Sequence, residues 1–385
     1  MLKILYLDHA PVFGGAEKAL LDLVRSFDRQ QYQPLVATAS DSAFLPILAA
    51  EGIRTTTMPF EQVNMRHPAF LLRLVRSTLA LVRLVRHEHP DVLHSNTVRG
   101  HVVSSLASLI TGVPLVWTMH DRTLPGPLFR FLGRVPRRII FVSRYLSDLY
   151  MSGGPNPHRG QVIPNGARPA PPQGRAEARR KLGLAPDCPV IVNVGRLVDG
   201  KGQDVFVQAA ALVGQHRPDA VFLVVGGTNE GDPASARYAQ RLSELAHSLN
   251  LEGKAIFTGH QQDLTSYYDS ADLCAYTAVG PEGFGLVVLE AMAHGKAVVA
   301  SNLGAVPEIV LDGVTGRLVR PNEVVDLAKA ILDLLADREA LNRLGAAGRQ
   351  RVAKHFDPQE GFRRIQAVYD EVLLEATLGK RSASP

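Results

Sequence analysis

The chain has 385 residues, 46% of them apolar and 21% charged, with a formal net charge of +5, values that suit two folded domains and exclude a disordered chain. Its only two cysteines, Cys188 and Cys274, exclude a disulfide scaffold and a cysteine-based metal site, and they fit a reducing cytoplasm. No uncharged apolar run reaches the ~18 residues that a bilayer-spanning helix needs, so any membrane contact is expected to be peripheral.

Short runs rich in β-branched residues alternate with longer helical patterns in the first half of the chain, which predicts a parallel α/β sheet. The predicted strands are Ile4 to Leu7, Leu35 to Thr38, Val92 to His94, Leu115 to Thr118 and Ile139 to Val142. After the first strand, Phe13-Gly14-Gly15 forms the turn into a helix whose apolar stripe extends from Ala16 to Phe27. Because ligands bind at such turns in open α/β sheets, Gly14 and Gly15 are candidate ligand-contacting residues.

The segment from Leu71 to Val85 is predicted to be a helix with one cationic face. At 100° per residue, four arginines fall within an arc of roughly 140°, opposite four apolar residues. The arginines are Arg73, Arg76, Arg83 and Arg86, and the apolar residues are Leu74, Leu81, Val82 and Val85. Two interpretations are open: solvated arginines on an ordinary Rossmann helix, or a helix that lies on an anionic membrane surface.

Charge is unevenly distributed between the two halves. The first 170 residues hold 19 Lys and Arg against 11 Asp and Glu, whereas the remainder holds 23 against 26. A second basic cluster in the first half comprises Arg130, Arg134, Arg137 and Arg138. These cations favour a lipid-linked or phosphorylated partner, whereas nucleic acid is not expected, because aromatic residues are not interleaved with the cations and no nucleic-acid motif occurs.

A segment rich in Pro and Gly, from Ile163 to Gly174, interrupts the α/β pattern and is predicted to separate two domains. The pattern then resumes with strands at Val190 to Val194, Val221 to Val225, Ala255 to Phe257, Leu273 to Tyr276 and Ala297 to Ala300. We therefore expect Rossmann-like domains over residues 1–170 and 175–357. A last helix is expected over residues 358–376, where it would pack back on the first domain.

The turn from Gly195 to Gly202 follows a strongly β-branched strand and precedes a helix predicted from Asp204 to Val213. Its G-x4-G-K spacing superficially matches a phosphate-binding P-loop. The residue after Lys201 is Gly202, however, where a P-loop needs Ser or Thr to hold Mg²⁺, so we reject an NTPase. Arg196 and Lys201 remain as two cations able to neutralise a diphosphate without metal, although either is also able to pair with surface acids.

The stretch Glu282 to Ser301, EGFGLVVLEAMAHGKAVVAS, predicts an anion site at the start of a helix spanning about Phe284 to His294. Gly283 and Gly285 allow backbone amides to approach a ligand closely. Glu282 precedes the helix and Glu290 lies two turns inside it, roughly 12 Å away along the axis. The two carboxylates are therefore expected to bind different parts of one elongated ligand, unless Glu282 is only a capping acid.

Four motifs, in this order along the chain, resemble the retaining GT-B glycosyltransferases of family 4. They read FGGAEKALLDL, VIPNGARP, NVGRLVDGKGQDVFVQAAAL and PEGFGLVVLEAMAHGKAVVASNLGAVPEIVLDGVTGRLV. Glu282 and Glu290 match the E-x7-E signature of that family in spacing and surroundings. The resemblance implies two Rossmann-like domains that face across a central cleft. It also implies a nucleotide-sugar donor held mainly by the C-terminal domain, an acceptor held mainly by the N-terminal domain, and no metal.

The resemblance also implies roles for individual residues. Arg196 and Lys201 would clamp the donor diphosphate, and Glu290 would accept hydrogen bonds from the ribose hydroxyls. Glu282 and the backbone amides of the following five residues would face the sugar and the β-phosphate. Those five residues are Gly283, Phe284, Gly285, Leu286 and Val287. His120 matches a histidine that the family places beside the reacting centre, while Gly14 and Gly15 would approach the phosphate and the acceptor.

Further matches to the family concern turns. The turn from Gly195 to Gly202, which carries Arg196 and Lys201, is called the cationic turn below. Gly195 is its first residue, and Gly226 ends a strand expected near the nucleotide. The loop from Gly259 to Gln261 would read the base through backbone groups. The pair Asn165-Gly166 resembles a linker between domains, and Gly304 with Glu308 is expected to hold a turn.

The expected function is transfer of a sugar, with retention and without metal, from a UDP- or GDP-sugar to a hydroxyl of a glycan or lipid-linked acceptor. The expected context is surface polysaccharide or glycolipid biosynthesis in the cytoplasm, with the inner face of the plasma membrane as an alternative location. Two other functions stay open: a nucleotide-sugar epimerase or hydrolase of the same fold, and a non-catalytic protein that binds nucleotide or glycan.

Overall fold

A computed structural model describes residues 1–9, 12–60, 69–121, 132–151, 157–168, 173–229 and 231–381. The chain divides into two compact units. The first unit comprises Met1–Asn165 with Pro358–Pro385, and the second comprises Gly166–Asp357. The division therefore falls inside the segment from Ile163 to Gly174 that is rich in Pro and Gly.

The elements of the first half, in chain order, are β1 Leu2–Leu7, α1 Gly15–Ser26, β2 Tyr32–Thr38, α2 Phe44–Ala50, β3 Arg54–Thr57, α3 Phe70–Glu88, β4 Val92–Ser95, α4 Val98–Thr111, β5 Leu115–Met119, β6 Arg138–Phe141, α5 Arg144–Met151 and β7 Gly160–Val162. The strands form one parallel sheet in the order β3-β2-β1-β4-β5-β6-β7. Buried apolar side chains lie on both faces of this sheet, as expected for parallel strands covered by helices.

The elements of the second half are α6 Arg175–Lys181, β8 Val190–Val194, α7 Gln203–His216, β9 Val221–Val225, α8 Pro233–Ser248, β10 Ala255–Phe257, α9 Thr265–Ser270, β11 Leu273–Tyr276, α10 Leu286–Ala293, β12 Ala297–Ser301, α11 Val306–Ile309, β13 Arg317–Val319, α12 Val324–Ala336, α13 Arg338–His355 and α14 Pro358–Arg381. The second sheet is also parallel, in the order β10-β9-β8-β11-β12-β13. The predicted α/β class, with two Rossmann-like halves, is confirmed.

The last helix, α14, belongs to the first unit. Val368, Tyr369 and Val372 are fully buried in the same apolar cluster as Tyr6 of β1. The Tyr369 hydroxyl lies 2.8 Å from the Tyr6 hydroxyl and 2.6 Å from His94 Nδ1, so a buried polar contact ties this helix to the sheet.

The outer face of α3 differs from the sequence expectation. Leu81, Val82 and Val85 pack inward as predicted. The exposed face is not purely cationic, because four apolar side chains, 48–72% exposed, share it with the arginines. These side chains are Leu71, Leu72, Val75 and Leu79. Arg76, Arg83 and Arg86 are exposed beside them. Arg130 of the second basic cluster lies outside the described residues. Within the described residues, no helix combines the length and apolarity needed to cross a bilayer.

Candidate active site

The cationic turn lies at the carboxyl edge of the second sheet, where the carboxyl ends of its strands meet. Gly202 ends the turn with φ 69°, and a Cβ there would lie 1.9 Å from the Thr277 carbonyl oxygen. Gly226, which follows β9 with φ 146°, would place a Cβ 1.9 Å from the Gly195 carbonyl oxygen. Both positions therefore require glycine, and the turn packs closely against the ends of β9 and β11.

Two buried amide side chains stabilise the cationic turn through hydrogen bonds to the backbone and to Thr277. Gln203 Nε2 donates a hydrogen bond of 3.0 Å to the Arg196 carbonyl. Asn193 Nδ2 donates to the Ala275 carbonyl at 2.9 Å and to Thr277 Oγ1 at 3.1 Å. These bonds fix the backbone that carries Arg196 and Lys201. Sequence reasoning missed both amides because nothing in their local pattern distinguishes them from other polar residues.

The two cations of the turn have different surroundings. The Arg196 side chain is exposed and makes one long contact, 3.4 Å from Nη1 to Asn229 Oδ1. Lys201 Nζ lies 2.5 Å from Glu282 Oε1, and both side chains are about one quarter exposed. The structure thus joins two residues that the sequence places 81 positions apart, and it leaves the Arg196 guanidinium accessible at the same edge.

Glu282 is held in place by a glycine from the next loop. Gly304 has φ 60°, and a Cβ there would lie 2.5 Å from the Glu282 carbonyl oxygen, which also accepts a hydrogen bond from the Ala305 amide. The Tyr276 hydroxyl, missed by sequence reasoning, is buried and has no hydrogen-bond partner among the described residues. Burial and the nearby Glu282 carboxylate raise the pKa of Tyr276 well above its usual value. The loop that contains Gly304 therefore fixes the backbone of Glu282, and the carboxylate of Glu282 faces Lys201 and Tyr276.

Helix α10 begins at Leu286 and not at Phe284 as predicted. The reason is Gly285, whose φ of 106° places it in the left-handed region as the N-cap residue. The amides of Leu286 and Val287 have no acceptor within the helix and lie at its positive end. Phe284 is buried, and its ring packs edge-on against Phe356 at 6.2 Å, so only its backbone is available to a ligand.

Glu290 lies in the second turn of α10, where it is partly buried. The hydroxyl of Tyr268, which is 1% exposed, donates a hydrogen bond of 3.1 Å to Glu290 Oε2. Burial, and next the charge of Glu290, raise the pKa of Tyr268 well above its ordinary value, so the hydroxyl stays protonated and remains a donor. Tyr268 therefore orients the carboxylate. Sequence reasoning did not find it.

The remaining candidates lie at the carboxyl edge of the first sheet. Gly14 is the N-cap of α1, and its amide donates a hydrogen bond of 2.8 Å to Glu17 Oε2. Glu17 is 5% exposed, and burial together with Asp8 raises its pKa to about 8. His120 Nε2 lies 2.9 Å from Asn96 Oδ1, and burial lowers the pKa of His120 to about 4. Gly15 follows Gly14 as the first residue of α1.

Two further observations concern ligands. Within the described residues, no three His, Cys, Asp or Glu side chains lie close enough together to hold a metal ion. Gly259, expected near the base, forms an isolated bridge with Gly226 and has φ 70°. The described part of the second unit thus offers cations, a helix N-terminus, a carboxylate and backbone groups at one sheet edge.

Comparison with known proteins agrees with this geometry. Residues 13–170 match the model of Glycosyltransferase Family 4, and residues 174–351 match that of Glycosyl transferases group 1. A D-inositol 3-phosphate glycosyltransferase of Actinosynnema mirum is 32% identical over 354 residues, covering 83% of each chain. A GDP-mannose-dependent monoacylated alpha-(1-6)-phosphatidylinositol monomannoside mannosyltransferase of Corynebacterium glutamicum is 27% identical over 369 residues, covering 90% of this chain and 91% of that relative.

Among solved structures, Anabaena HepE in complex with UDP and glucose superposes with a TM-score of 0.84. It is 27% identical, and the match covers 96% of this chain and all of HepE. Fold and site together define a glycosyltransferase with the GT-B fold. The chain belongs to the group 1 glycosyl transferases, as its motifs indicate, and it is an enzyme, a hexosyltransferase.

Proposed function

We propose that this enzyme moves a hexose from a UDP- or GDP-sugar to a hydroxyl of a glycan or lipid-linked acceptor, with retention and without a metal cofactor. The proposed context is surface polysaccharide or glycolipid biosynthesis at the cytoplasmic side of the membrane. The observation that carries the proposal is the joint position of Arg196, Lys201, the N-terminus of α10 and Glu290 at one edge of the second sheet.

These groups suit the parts of a nucleotide-sugar in order. Arg196 and Lys201 bind the diphosphate together with the amides of Leu286 and Val287, and Glu290 accepts hydrogen bonds from ribose hydroxyls. Glu282, held beside Lys201, binds hydroxyls of the sugar. HepE, which was solved with UDP and glucose, supports a donor of this class.

The proposed reaction breaks the bond between the anomeric carbon and the phosphate oxygen and forms a bond to the acceptor oxygen on the same face. The acceptor hydroxyl gives its proton to the departing phosphate. Negative charge grows on the leaving nucleoside diphosphate, and the fixed charges of Arg196 and Lys201 stabilise it. No step in this scheme needs a metal ion.

The base of the donor is open between uracil and guanine. HepE is solved with UDP, whereas the Corynebacterium relative is named as GDP-mannose-dependent. Thermal-shift measurements with UDP, GDP and their sugar conjugates separate the two, because a ligand that binds the native state raises the melting temperature by mass action. A shift with one nucleotide defines the donor, and the absence of any shift with either would contradict the proposal.

Transfer itself is tested with the preferred donor and a panel of glycan and polyprenyl-linked acceptors. We expect an α-linked product from an α-linked donor, undiminished turnover in EDTA, and a fall of about 10²-fold in kcat for Arg196→Ala. Arg217→Ala, which removes an arginine paired with Asp219 away from that turn, is the matched control. Nucleotide release without acceptor would instead indicate an epimerase or hydrolase, and nucleotide binding without turnover would indicate a binding protein.

A membrane-bound acceptor is favoured by the outer face of α3. Leu71, Leu72 and Val75 are 52–72% exposed beside arginines, and this mixture of apolar and cationic side chains suits the interface of an anionic bilayer. We expect co-sedimentation with vesicles that contain phosphatidylglycerol but not with phosphatidylcholine alone. Leu71→Ser/Leu72→Ser should abolish it, whereas Leu374→Ser, which alters an exposed leucine on α14, should not. Equal sedimentation with both vesicle types would remove this part of the proposal.

A further inference from the structure

Three polar side chains follow three adjacent strands of the first sheet. Asp8 comes directly after β1, Asn96 after β4 and His120 after β5, and these strands are neighbours in the order β1-β4-β5. Asp8 is fully buried and Asn96 is 4% exposed, whereas His120 is only partly buried. The row therefore passes from two buried side chains to a partly buried imidazole.

The hydrogen bonds of Asn96 fix the orientation of its amide. Nδ2 lies 2.7 Å from Asp8 Oδ2 and 3.2 Å from the carbonyl oxygen of Ala16. A backbone carbonyl only accepts hydrogen bonds, so the atom facing Ala16 must be the amide nitrogen whatever the protonation of Asp8. The amide oxygen of Asn96 consequently faces His120.

This orientation decides the tautomer of His120. Asn96 Oδ1 lies 2.9 Å from His120 Nε2 and has no hydrogen to give, so Nε2 must carry the proton. Burial holds the pKa of His120 near 4, so the imidazole is neutral at physiological pH and Nδ1 carries a lone pair. Within the described residues, Nδ1 has no hydrogen-bond partner.

We propose that Asp8 and Asn96 are positioning residues that hold His120 as the Nε2-protonated tautomer, so that Nδ1 accepts a hydrogen bond from a hydroxyl of a sugar bound at the carboxyl edge of the first sheet. The identity of the ligand rests on the proposed function, whereas the tautomer rests on the geometry alone. Neutral His120 is neither a cation for phosphate nor an effective base at pH 7. The lone pair on Nδ1 accepts hydrogen bonds from hydroxyl groups and repels the oxygens of phosphate or carboxylate groups.

The surroundings of His120 keep this arrangement over the working pH range. Within the described residues, His94 in the adjacent strand interacts electrostatically with His120, Asp8 is linked to His120 through Asn96, and Glu17 is acted on by Asp8 and Asp121. Burial lowers the pKa of His94 to about 3, so His94 adds no positive charge. The raised pKa of Glu17 limits the negative charge beside Asp8 below about pH 8.

The tautomer is read directly by long-range ¹H–¹⁵N NMR of the full-length protein, with the His120 signals assigned by their loss in His120→Gln. We expect a protonated Nε2 and an unprotonated Nδ1 from pH 6 to pH 8. A protonated Nδ1 would overturn the positioning role even if sugar transfer is demonstrated, and the expected tautomer would stand even if the substrate proposal fails.

The functional consequence is tested with Asn96→Ala, which removes the hydrogen bond to His120 Nε2 and leaves the imidazole ring unchanged. We expect mixed tautomers, a fall of about tenfold in kcat or a corresponding rise in KM for the sugar, and unchanged affinity for the free nucleotide. Thr118→Val removes the 2.7 Å contact of Thr118 Oγ1 to His94 Nε2 in the same sheet, so it is the control for a lost buried hydrogen bond. Asn96→Ala with wild-type kcat and KM, or Thr118→Val with the same selective loss, would contradict the proposal.

Discussion

Lys201 Nζ lies 2.5 Å from Glu282 Oε1, which makes the carboxylate the immediate partner of a cation proposed to bind diphosphate. The two residues come from the turn after β8 and the loop before α10. Each side chain is about three quarters covered, so screening by solvent is reduced without being removed. A change at one residue will therefore alter the charge that the other presents.

Removal of Lys201 should consequently do more than remove one cation. In Lys201→Ala, Glu282 keeps an unpaired carboxylate near the diphosphate, so we expect kcat to fall about 10²-fold or more and nucleotide affinity to fall as well. Lys201→Ala/Glu282→Gln should recover part of the nucleotide affinity, because the repelling charge is gone. Isothermal titration with the preferred nucleotide measures this coupling, and strictly additive effects of the two substitutions would show that the pair does not act as a unit.

The strands of both sheets could be predicted because buried parallel strands are continuous β-branched runs, and Val190–Val194 and Val221–Val225 have the predicted bounds. The short strands β3, β7 and β13 were missed. Arg54–Thr57 and Arg317–Val319 lie at sheet edges, where one side is unpaired and the apolar signal is weak.

The candidate site was predictable where its residues share one local segment. Arg196 and Lys201 lie on one turn, so their spacing alone indicates a common target. Tyr268 and Glu290 are 22 residues apart, and their contact depends on how α9 packs beside α10. The row formed by Asp8, Asn96 and His120 depends on the order of the strands in the sheet. That order cannot be read from the positions of the strands along the chain.

The contact between Tyr268 and Glu290 predicts a selective loss of nucleotide affinity. Tyr268→Phe keeps the buried ring but removes the hydroxyl that orients the carboxylate, so we expect the Kd for nucleotide to rise about tenfold, the effect of one hydrogen bond to a charged group. Tyr238→Phe is the matched control, because its hydroxyl bonds Asp204 at 2.9 Å and not Glu290. If both variants lose the same affinity, the effect is general to buried tyrosines and not specific to Glu290.

A comparison of Gly202 with Gly183 distinguishes two effects of placing a side chain at positive φ: backbone strain and steric clash of the Cβ with a neighbouring group. Their φ values are 69° and 67°, but a Cβ at Gly202 would lie 1.9 Å from the Thr277 carbonyl oxygen, whereas a Cβ at Gly183 would meet nothing within 4 Å. We expect Gly183→Ala to lower the free energy of unfolding by about 1 kcal/mol and to leave kcat unchanged.

Gly202→Ala should be clearly more destabilising, because the turn must move away from β11, and that movement should displace Arg196 and Lys201 and lower kcat. Urea unfolding and steady-state kinetics on the two variants make the comparison. Gly202→Ala with the stability and activity of Gly183→Ala would mean that the turn adjusts without moving the cations.

Glu17 predicts a pH dependence of stability. Its pKa is about 8 in the native protein, raised by burial and by the charge of Asp8, against an ordinary value of 4.5. The native state therefore binds the proton more tightly than the unfolded state. The corresponding stability is complete below about pH 4.5 and is lost as the pH rises to about 8.

Glu17→Gln, which mimics the protonated form, should match the wild type near pH 5 and should be more stable at pH 8. Urea unfolding from pH 5 to pH 8.5 tests this, with the exposed first-turn glutamate substitution Glu177→Gln as the control. A wild-type pH profile in Glu17→Gln would show that Glu17 is not the group responsible.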